Sequence, residues 1–262
     1  KIGNNSLAGG ATTPGSMRKA IDYAGKWAAD HDVAVVMNIS YGIGSEVEGY
    51  SGIDMALDAA LVGERRLLAS VAAGNDGPGL STIGTPGASA RAWTAGAYLD
   101  PRNGEALWGA GLDGARLFAF SSRGGEIGKP DGVSPGVAWS TVPPFLRRAV
   151  MAGTSMATPQ ATGVLALLTS AAIQQRVPWN HGLLKRALKG TARRLDGYTT
   201  LDQGAGLIQV GPAFEALQKI AREADATVLA GWDIETDVPH RPGTDGTASF
   251  WRTGHYVPTF PH

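Results

Sequence analysis

The chain has 262 residues, 43% of them hydrophobic, and its 23 lysines and arginines balance its 23 aspartates and glutamates. This is enough apolar sequence for one large domain, and zero net charge gives no bulk attraction to nucleic acid or an anionic membrane, so we expect neither as a partner. There is no cysteine, which excludes disulfides, thiolate metal sites and a cysteine nucleophile. Glycine is the outlier, because 37 glycines are about twice the usual share of roughly 7% and predict many tight turns.

The first half of the chain alternates between helical and strand patterns. A helix is predicted after Ser16, with Met17, Ala20, Ile21, Ala24 and Trp27 on its apolar face, and another is predicted between a Ser51 cap and Gly63. Continuous apolar runs at 33–40 and 67–73 are typical of strands buried on both faces, and 92–98 is a third strand candidate.

This order of elements predicts an α/β fold, a doubly wound and mostly parallel sheet with helices on both faces. Ligands of such sheets bind beyond the carboxyl ends of the strands. The residues there are Ser40-Tyr41-Gly42 after the first strand and Gly74-Asn75-Asp76-Gly77 after the second. We therefore expect the functional site at this edge.

The second half begins with a helix at 154–173 that is apolar all round, as expected for a helix in the middle of a large domain. Further helices are predicted at 179–188 and 212–224. After residue 226 the composition shifts to Gly, Pro, Thr and His without periodicity. We interpret 1–226 as one domain and 227–262 as a linker or the start of a further module.

The most informative segment is 153–159, Gly-Thr-Ser-Met-Ala-Thr-Pro. It places Ser155 in the first turn of the central helix, where free N–H groups and the positive end of the helix dipole stabilise a developing oxyanion. Ser155 is therefore a candidate nucleophile. The alternative is that Ser155 only caps the helix, as many serines at helix starts do.

This segment resembles the nucleophile motif of the subtilisin-like serine peptidases, the subtilases, and other segments agree with it in the family's order. They are Asn-Ile-Ser-Tyr-Gly at 38–42, Ala-Ala-Gly-Asn-Asp-Gly at 72–77, Pro-Gly-Ala at 86–88, Phe-Ser-Ser-Arg-Gly at 120–124 and Lys-Pro-Asp-Gly-Val-Ser-Pro-Gly at 129–136. The resemblance covers about 1–224. The segments 204–210 and 213–217 resemble, more weakly, the branch that includes tripeptidyl peptidase II.

The resemblance implies roles for individual residues. Ser155 would attack the peptide carbonyl, and Asn75 would donate its side-chain amide to the oxyanion together with the Ser155 N–H. Ser40, Tyr41 and Gly42 would pair with extended substrate, while Ala73, Gly74 and Thr154 would complete the substrate-binding set. Without the resemblance, Asn75 is better explained as a turn residue, and the strand residues are explained as plain core.

The resemblance also implies an Asp and a His before Ser155, in Asp-Ser/Thr-Gly and His-Gly-Thr-His motifs that this sequence does not contain. His31 is the one histidine before Ser155, and it lies in a polar Asp-His-Asp loop. We therefore expect a fold that is incomplete at its amino terminus, with Lys1 and Ile2 near the end of an earlier strand. The expected partners are a polypeptide substrate and a missing amino-terminal segment carrying the Asp and His, and this chain alone is expected to be inactive.

Three other interpretations compete with a peptidase. A catalytically dead subtilase-fold binding module would keep the fold and lose the reaction. A nucleotide-binding protein is disfavoured because no G-x-G-x-x-G or Gly-Lys-Ser/Thr motif occurs, and a metal hydrolase because no His-Glu-x-x-His occurs. No cofactor is expected for catalysis, and structural calcium, common in the family, has no carboxylate cluster that would indicate a site.

Overall fold

The computed structural model describes residues 14–44, 48–139 and 150–223. The expectations for Lys1, Ile2 and 227–262 lie outside these residues. In chain order the elements are α1 (Pro14–His31), β1 (Val35–Ile39), α2 (Gly52–Gly63), β2 (Leu67–Ala72), β3 (Trp93–Leu99), α3 (Pro101–Trp108), β4 (Arg116–Leu117), β5 (Gly132–Pro135), β6 (Val137–Trp139), β7 (Val150–Ala152), α4 (Thr154–Gln174), α5 (His181–Thr191), α6 (Thr200–Gln203) and α7 (Val210–Glu223).

The sheet is mostly parallel, as predicted. Strands β1, β2, β3 and β5 run parallel in that spatial order, and the short β4 pairs antiparallel with the end of β3. The register of β1 and β2 places Val35 opposite Leu67 and Ile39 opposite Val71. Their carboxyl ends therefore meet at one edge of the sheet.

Helices cover both faces of the sheet, and alternate residues of β2 show the division. Leu67, Ala69 and Val71 face α1 and α2, where they pack with Met17, Ile21, Leu57 and Leu61. Leu68 faces the other way, toward α4, α5 and α7, with Leu165, Leu184 and Leu217. Because both faces are covered, β2 and β3 are buried throughout, and the predicted doubly wound α/β fold is confirmed.

The first strand departs from prediction. The run at 33–40 was expected to be buried on both faces, but β1 is only half-buried, Val33 is 42% exposed and Asn38 is exposed. Within the part of the chain that the structure describes, β1 pairs with β2 on one side and has an open edge on the other. Continuous hydrophobicity identifies a strand but does not reveal whether both of its edges have neighbours.

Two helix predictions need correction. Helix α1 begins at Pro14 rather than after Ser16, and Trp27, predicted on its apolar face, is 45% exposed and stacks on His31 with ring centroids 3.8 Å apart. Helix α4 is not buried all round, because Leu167 and Ile173 are 62% and 52% exposed. By length and composition alone α4 is able to cross a membrane, but one face of it packs against β1, β2 and β3.

The other helices agree with the sequence patterns to within a few residues. Ser51 caps α2 by accepting a hydrogen bond from Asp54 N at 3.1 Å, and α2 ends at Gly63 as predicted. Helices α5 and α7 lie where 179–188 and 212–224 were predicted. Together with α4 they cover the second face of the sheet, so the start of α4 is fixed relative to the ends of β1 and β2.

Candidate active site

The predicted site residues meet at the carboxyl edge of the sheet. Ser40 follows β1, Asn75 follows β2, and Ser155 lies in the first turn of α4. Thr154 N donates to Asn75 Oδ1 at 2.9 Å, and Ser155 Oγ donates to the Ser40 carbonyl at 3.3 Å. The end of β1 and the loop after β2 therefore both lie within hydrogen-bond distance of the first turn of α4.

The structure does not support the interpretation of Ser155 as a mere cap. The N-cap position of α4 is Gly153, which has no side-chain cap, and Met156 N and Ala157 N both donate to the Gly153 carbonyl. Ser155 is half-buried, and its hydroxyl points to the end of β1 rather than to the helix. The hydroxyl lies in the first turn of α4, at the positive end of the helix dipole, which suits a nucleophile that generates an oxyanion.

The two ends of the Asn75 side chain have different environments. Oδ1 accepts a hydrogen bond from Thr154 N at 2.9 Å, and it shares the single hydrogen of Thr154 Oγ1, 3.0 Å away, with the Gly74 carbonyl at 3.1 Å. Nδ2 is therefore the end available to donate to a third group. Asn75 itself is exposed, whereas Thr154 is fully buried. The buried Thr154 therefore holds the solvent-accessible side-chain amide of Asn75 in place.

The loop that carries Asn75 depends on a glycine and on residues 120–122. Gly74 has φ +113, and a Cβ at this position would lie 2.7 Å from Ser122 Oγ. Ser122 N donates to the Gly74 carbonyl, Asp76 N donates to Ser122 Oγ, and Gly77 N donates to the Phe120 carbonyl. The Phe-Ser-Ser motif therefore supports the Asn75 loop, a function that the sequence alone did not reveal.

The residues assigned to substrate binding fall into two groups. Ser40 and Gly42 are exposed and Tyr41 is half-buried, so this segment is accessible to an extended peptide. The side chains of Ala73 and Thr154 are fully buried, and Gly74 is buried with them. Ala73 packs with Ile83 and Ala88, so this second group shapes the site from beneath its surface.

Neither of the two histidines in the described ranges lies beside Ser155. His31 ends α1, at the amino end of β1, and its Nδ1 lies 3.0 Å from the Trp27 carbonyl. His181 lines a small pocket with Arg91 and Lys185, where burial above all, and then those cations, lowers its pKa. Across the parts of the chain described here, then, Ser155 has no neighbouring imidazole.

A buried ion cluster links the start of the 129–136 motif to α5. Asp131, 1% exposed, contacts Lys129 at 2.6 Å, Lys185 at 2.9 Å and Lys189 at 3.5 Å. Burial alone would raise the pKa of Asp131, but the charges of these lysines outweigh it and hold that pKa well below its usual range. The cluster is structural, and the described residues contain no group of three or more potential metal-ligating side chains.

Fold and site together define an α/β protein with a serine at the start of its central helix, beside a loop asparagine. A family model described as "Subtilase family" matches residues 2–207, so the chain belongs to the subtilase family of serine peptidases. The resemblance found in the sequence motifs is thereby confirmed.

Individual relatives agree with the tripeptidyl peptidase II-like branch. The chain is 35% identical to pyrolysin of Pyrococcus furiosus over 74% of its length, and 34% identical to tripeptidyl-peptidase 2 of Arabidopsis thaliana over 84%, but it spans only 16% of each relative. The crystal structure of tripeptidyl peptidase 2 superposes with a TM-score of 0.65 and 27% identity, over 85% of this chain and 17% of that one.

Proposed function

We propose that this chain supplies the nucleophile and the oxyanion hole of a peptidase that hydrolyses polypeptides. Ser155 Oγ attacks the scissile carbonyl, and the resulting oxyanion accepts hydrogen bonds from Asn75 Nδ2 and from Ser155 N–H. The observation that carries the proposal is the hydrogen bonding of Thr154 to Asn75 Oδ1, because it fixes the acceptor end of the amide on the residue next to the nucleophile and leaves Nδ2 as the end that can donate.

The reaction needs a general base and an orienting carboxylate, and we assign both to parts of the protein outside the described residues. The surroundings of β1 support this assignment. Among the described strands its outer edge has no partner, and beside it lies a groove of about 310 Å³ whose lining includes Val36, Thr169 and Ile173. A further strand next to β1 would cover both and end near Ser40 and Ser155.

The substrate in this proposal is an extended peptide. Residues 40–42 are accessible and follow a strand, so they offer main-chain hydrogen-bonding groups to a peptide laid alongside. All groups used in the reaction are side chains and backbone amides, so the proposal needs no cofactor. Metal binding for stability is a separate property.

The test compares peptide hydrolysis by the full-length gene product and by its Ser155→Ala variant. We expect hydrolysis by the former and its loss in the latter. The 262-residue chain alone is expected to be inactive, and to gain activity when a segment bearing the Asp and His motifs is added. Undiminished hydrolysis by the Ser155→Ala variant would overturn the proposal, and an inactive but folded full-length product would favour the binding-module alternative.

A further inference from the structure

The backbone carbonyl of Ser155 has an unusual hydrogen-bond donor. In an α-helix this carbonyl accepts from the N–H of residue 159, but residue 159 is proline, which has no N–H. The structure supplies Ser40 Oγ, which donates to the Ser155 carbonyl at 2.9 Å. The nucleophile's own carbonyl is therefore bound to the end of β1 rather than to its helix.

The Ser40 hydroxyl is in turn held by two further side chains. Asn38 Nδ2 donates to Ser40 Oγ at 2.9 Å. The Thr162 hydroxyl donates to Asn38 Oδ1 at 3.1 Å, and it shares its single hydrogen with the Thr158 carbonyl at 2.9 Å. Each hydroxyl or amide donates in the same direction along the series, an arrangement in which hydrogen bonds reinforce one another. The series leaves α4 at Thr162, crosses to β1 and returns to α4 at Ser155.

The placement of Asn38 fits such a connection. Asn38 is the one polar residue of β1, Val-Val-Met-Asn-Ile, and it lies on the same face of the strand as Val36 and Ser40, two positions to either side. Val36 packs with the residues of α4, so this face is turned toward that helix. At this position the amide of Asn38 reaches an acceptor, Ser40 Oγ, and a donor, Thr162 Oγ1, instead of making only apolar contacts.

We propose that Asn38 and Thr162 are positioning residues, which act through Ser40 to fix the backbone of Ser155 against the end of β1. The proposal rests on the proposed function, because it assumes that Ser155 is the nucleophile. Asn38 and Thr162 do not touch Ser155 themselves. Their effect is on the gap between β1 and the first turn of α4, where a shift of about 1 Å lowers the rate of attack severely.

The first test measures kcat and KM of the full-length gene product on a peptide substrate. Asn38→Ala and Thr162→Val are each expected to lower kcat by about 5–10-fold, the worth of one hydrogen bond, with little change in KM. Thr162→Ser keeps the hydroxyl and is expected to retain activity, as is Gln160→Ala, an exposed change on α4. Because both residues act through one series, the double variant should lose no more than Asn38→Ala alone.

The second test exploits Pro159. Ser40→Ala removes the donor to the Ser155 carbonyl, whereas Pro159→Ala restores an N–H that can bind it. We expect Ser40→Ala to lower kcat by about 5–10-fold in the parent and by less than about 2-fold in the Pro159→Ala background. Equal losses in the two backgrounds would show that the carbonyl contact does not position the nucleophile.

The outcomes separate this inference from the proposed function. If Ser155→Ala abolishes hydrolysis while Asn38→Ala and Thr162→Val leave kcat unchanged, the inference fails and the proposed function stands. The inference also fails if the losses of Asn38→Ala and Thr162→Val multiply in the double variant. If Ser155→Ala retains hydrolysis, the proposed function fails and the inference falls with it.

Discussion

Asn75 shows at the scale of one residue how an exposed side chain becomes ordered. Its Oδ1 is held by hydrogen bonding to the buried Thr154, so the Nδ2 end keeps a fixed direction without contacts of its own to a packed core. A donor that is already oriented stabilises a developing charge without first reorganising, which is why it acts on the transition state more than on the bound substrate.

This difference between the two ends can be tested with a matched pair of variants. Asn75→Asp retains an acceptor for Thr154 but loses Nδ2, and Asn75→Ala loses both. We expect kcat to fall by about 10–100-fold in each, because one hydrogen bond to a charged group contributes about 1.5–3 kcal/mol. Steady-state kinetics on a peptide substrate measures this. A loss confined to Asn75→Ala would mean that Oδ1, not Nδ2, matters for catalysis.

Asp131 gives a prediction about stability rather than catalysis. Removing its charge leaves Lys129 and Lys185 buried without their counter-ion, so Asp131→Asn should lower the free energy of unfolding by about 3–5 kcal/mol at pH 7. The pKa of Asp131 is depressed in the folded chain, so its stabilisation is complete above the unfolded value near 3.8 and is lost as the pH falls below it.

Urea unfolding of both proteins between pH 7 and pH 2 measures this dependence. The difference in the free energy of unfolding between the parent and Asp131→Asn should narrow as the pH falls below about pH 4. If the difference in the free energy of unfolding stays the same down to pH 2, the assignment of the depressed pKa to Asp131 is contradicted.

At the scale of elements, two glycines illustrate opposite roles of the same residue. Gly74 connects β2 to the Asn75 loop with φ +113 and has no room for a Cβ beside Ser122, whereas Gly163 lies in the middle of α4 with nothing within 4 Å of a Cβ. The first glycine is required by backbone geometry and a close approach. The second only weakens its helix.

Alanine substitutions should therefore act in opposite directions. Gly74→Ala is expected to lower the free energy of unfolding by about 1–3 kcal/mol and to reduce activity through the Asn75 loop. Gly163→Ala is expected to raise the free energy of unfolding by about 0.5–1 kcal/mol and to leave activity unchanged. Thermal unfolding and peptide hydrolysis of both variants measure this. A neutral Gly74→Ala would show that the loop adapts.

Which elements the sequence predicts, and which it does not, follows from what each one contacts. Short local sequence patterns predict the cap at Ser51 and the fully buried strands β2 and β3. They also predict the edge of the sheet at which Ser40 and Asn75 lie. Helix α3 was not predicted, although Asp100 and Pro101 form a recognisable start in which Asp100 caps the helix. The support of Asn75 by Thr154 and Ser122 joins distant segments, so no local pattern contains it.

At the scale of the whole molecule, β1 is the least protected part of the sheet. Its outer edge has no partner within the described ranges, and exposed apolar residues occur around it, including Trp27, Val33 and Ile173. An open edge with apolar flanks is prone to pair with another strand. The same edge is the place where the proposed Asp-bearing strand would dock.

The isolated 262-residue chain should therefore self-associate in sedimentation velocity experiments. Val36→Lys places a charge on the groove beside this edge and should shift the distribution toward monomer, whereas Tyr50→Lys, an exposed change elsewhere, should not. A chain that sediments as a single monomeric species would contradict the assignment of an unpaired β1.

Whether Ser155 is the nucleophile of a peptidase can be tested by locating a covalent adduct on the protein. The full-length gene product would be treated with a fluorophosphonate and digested, and the modified residue located by mass spectrometry. We expect one adduct per chain, on Ser155, and none in the Ser155→Ala variant. Stoichiometric labelling of a different residue, or of the variant to the same extent, would contradict it.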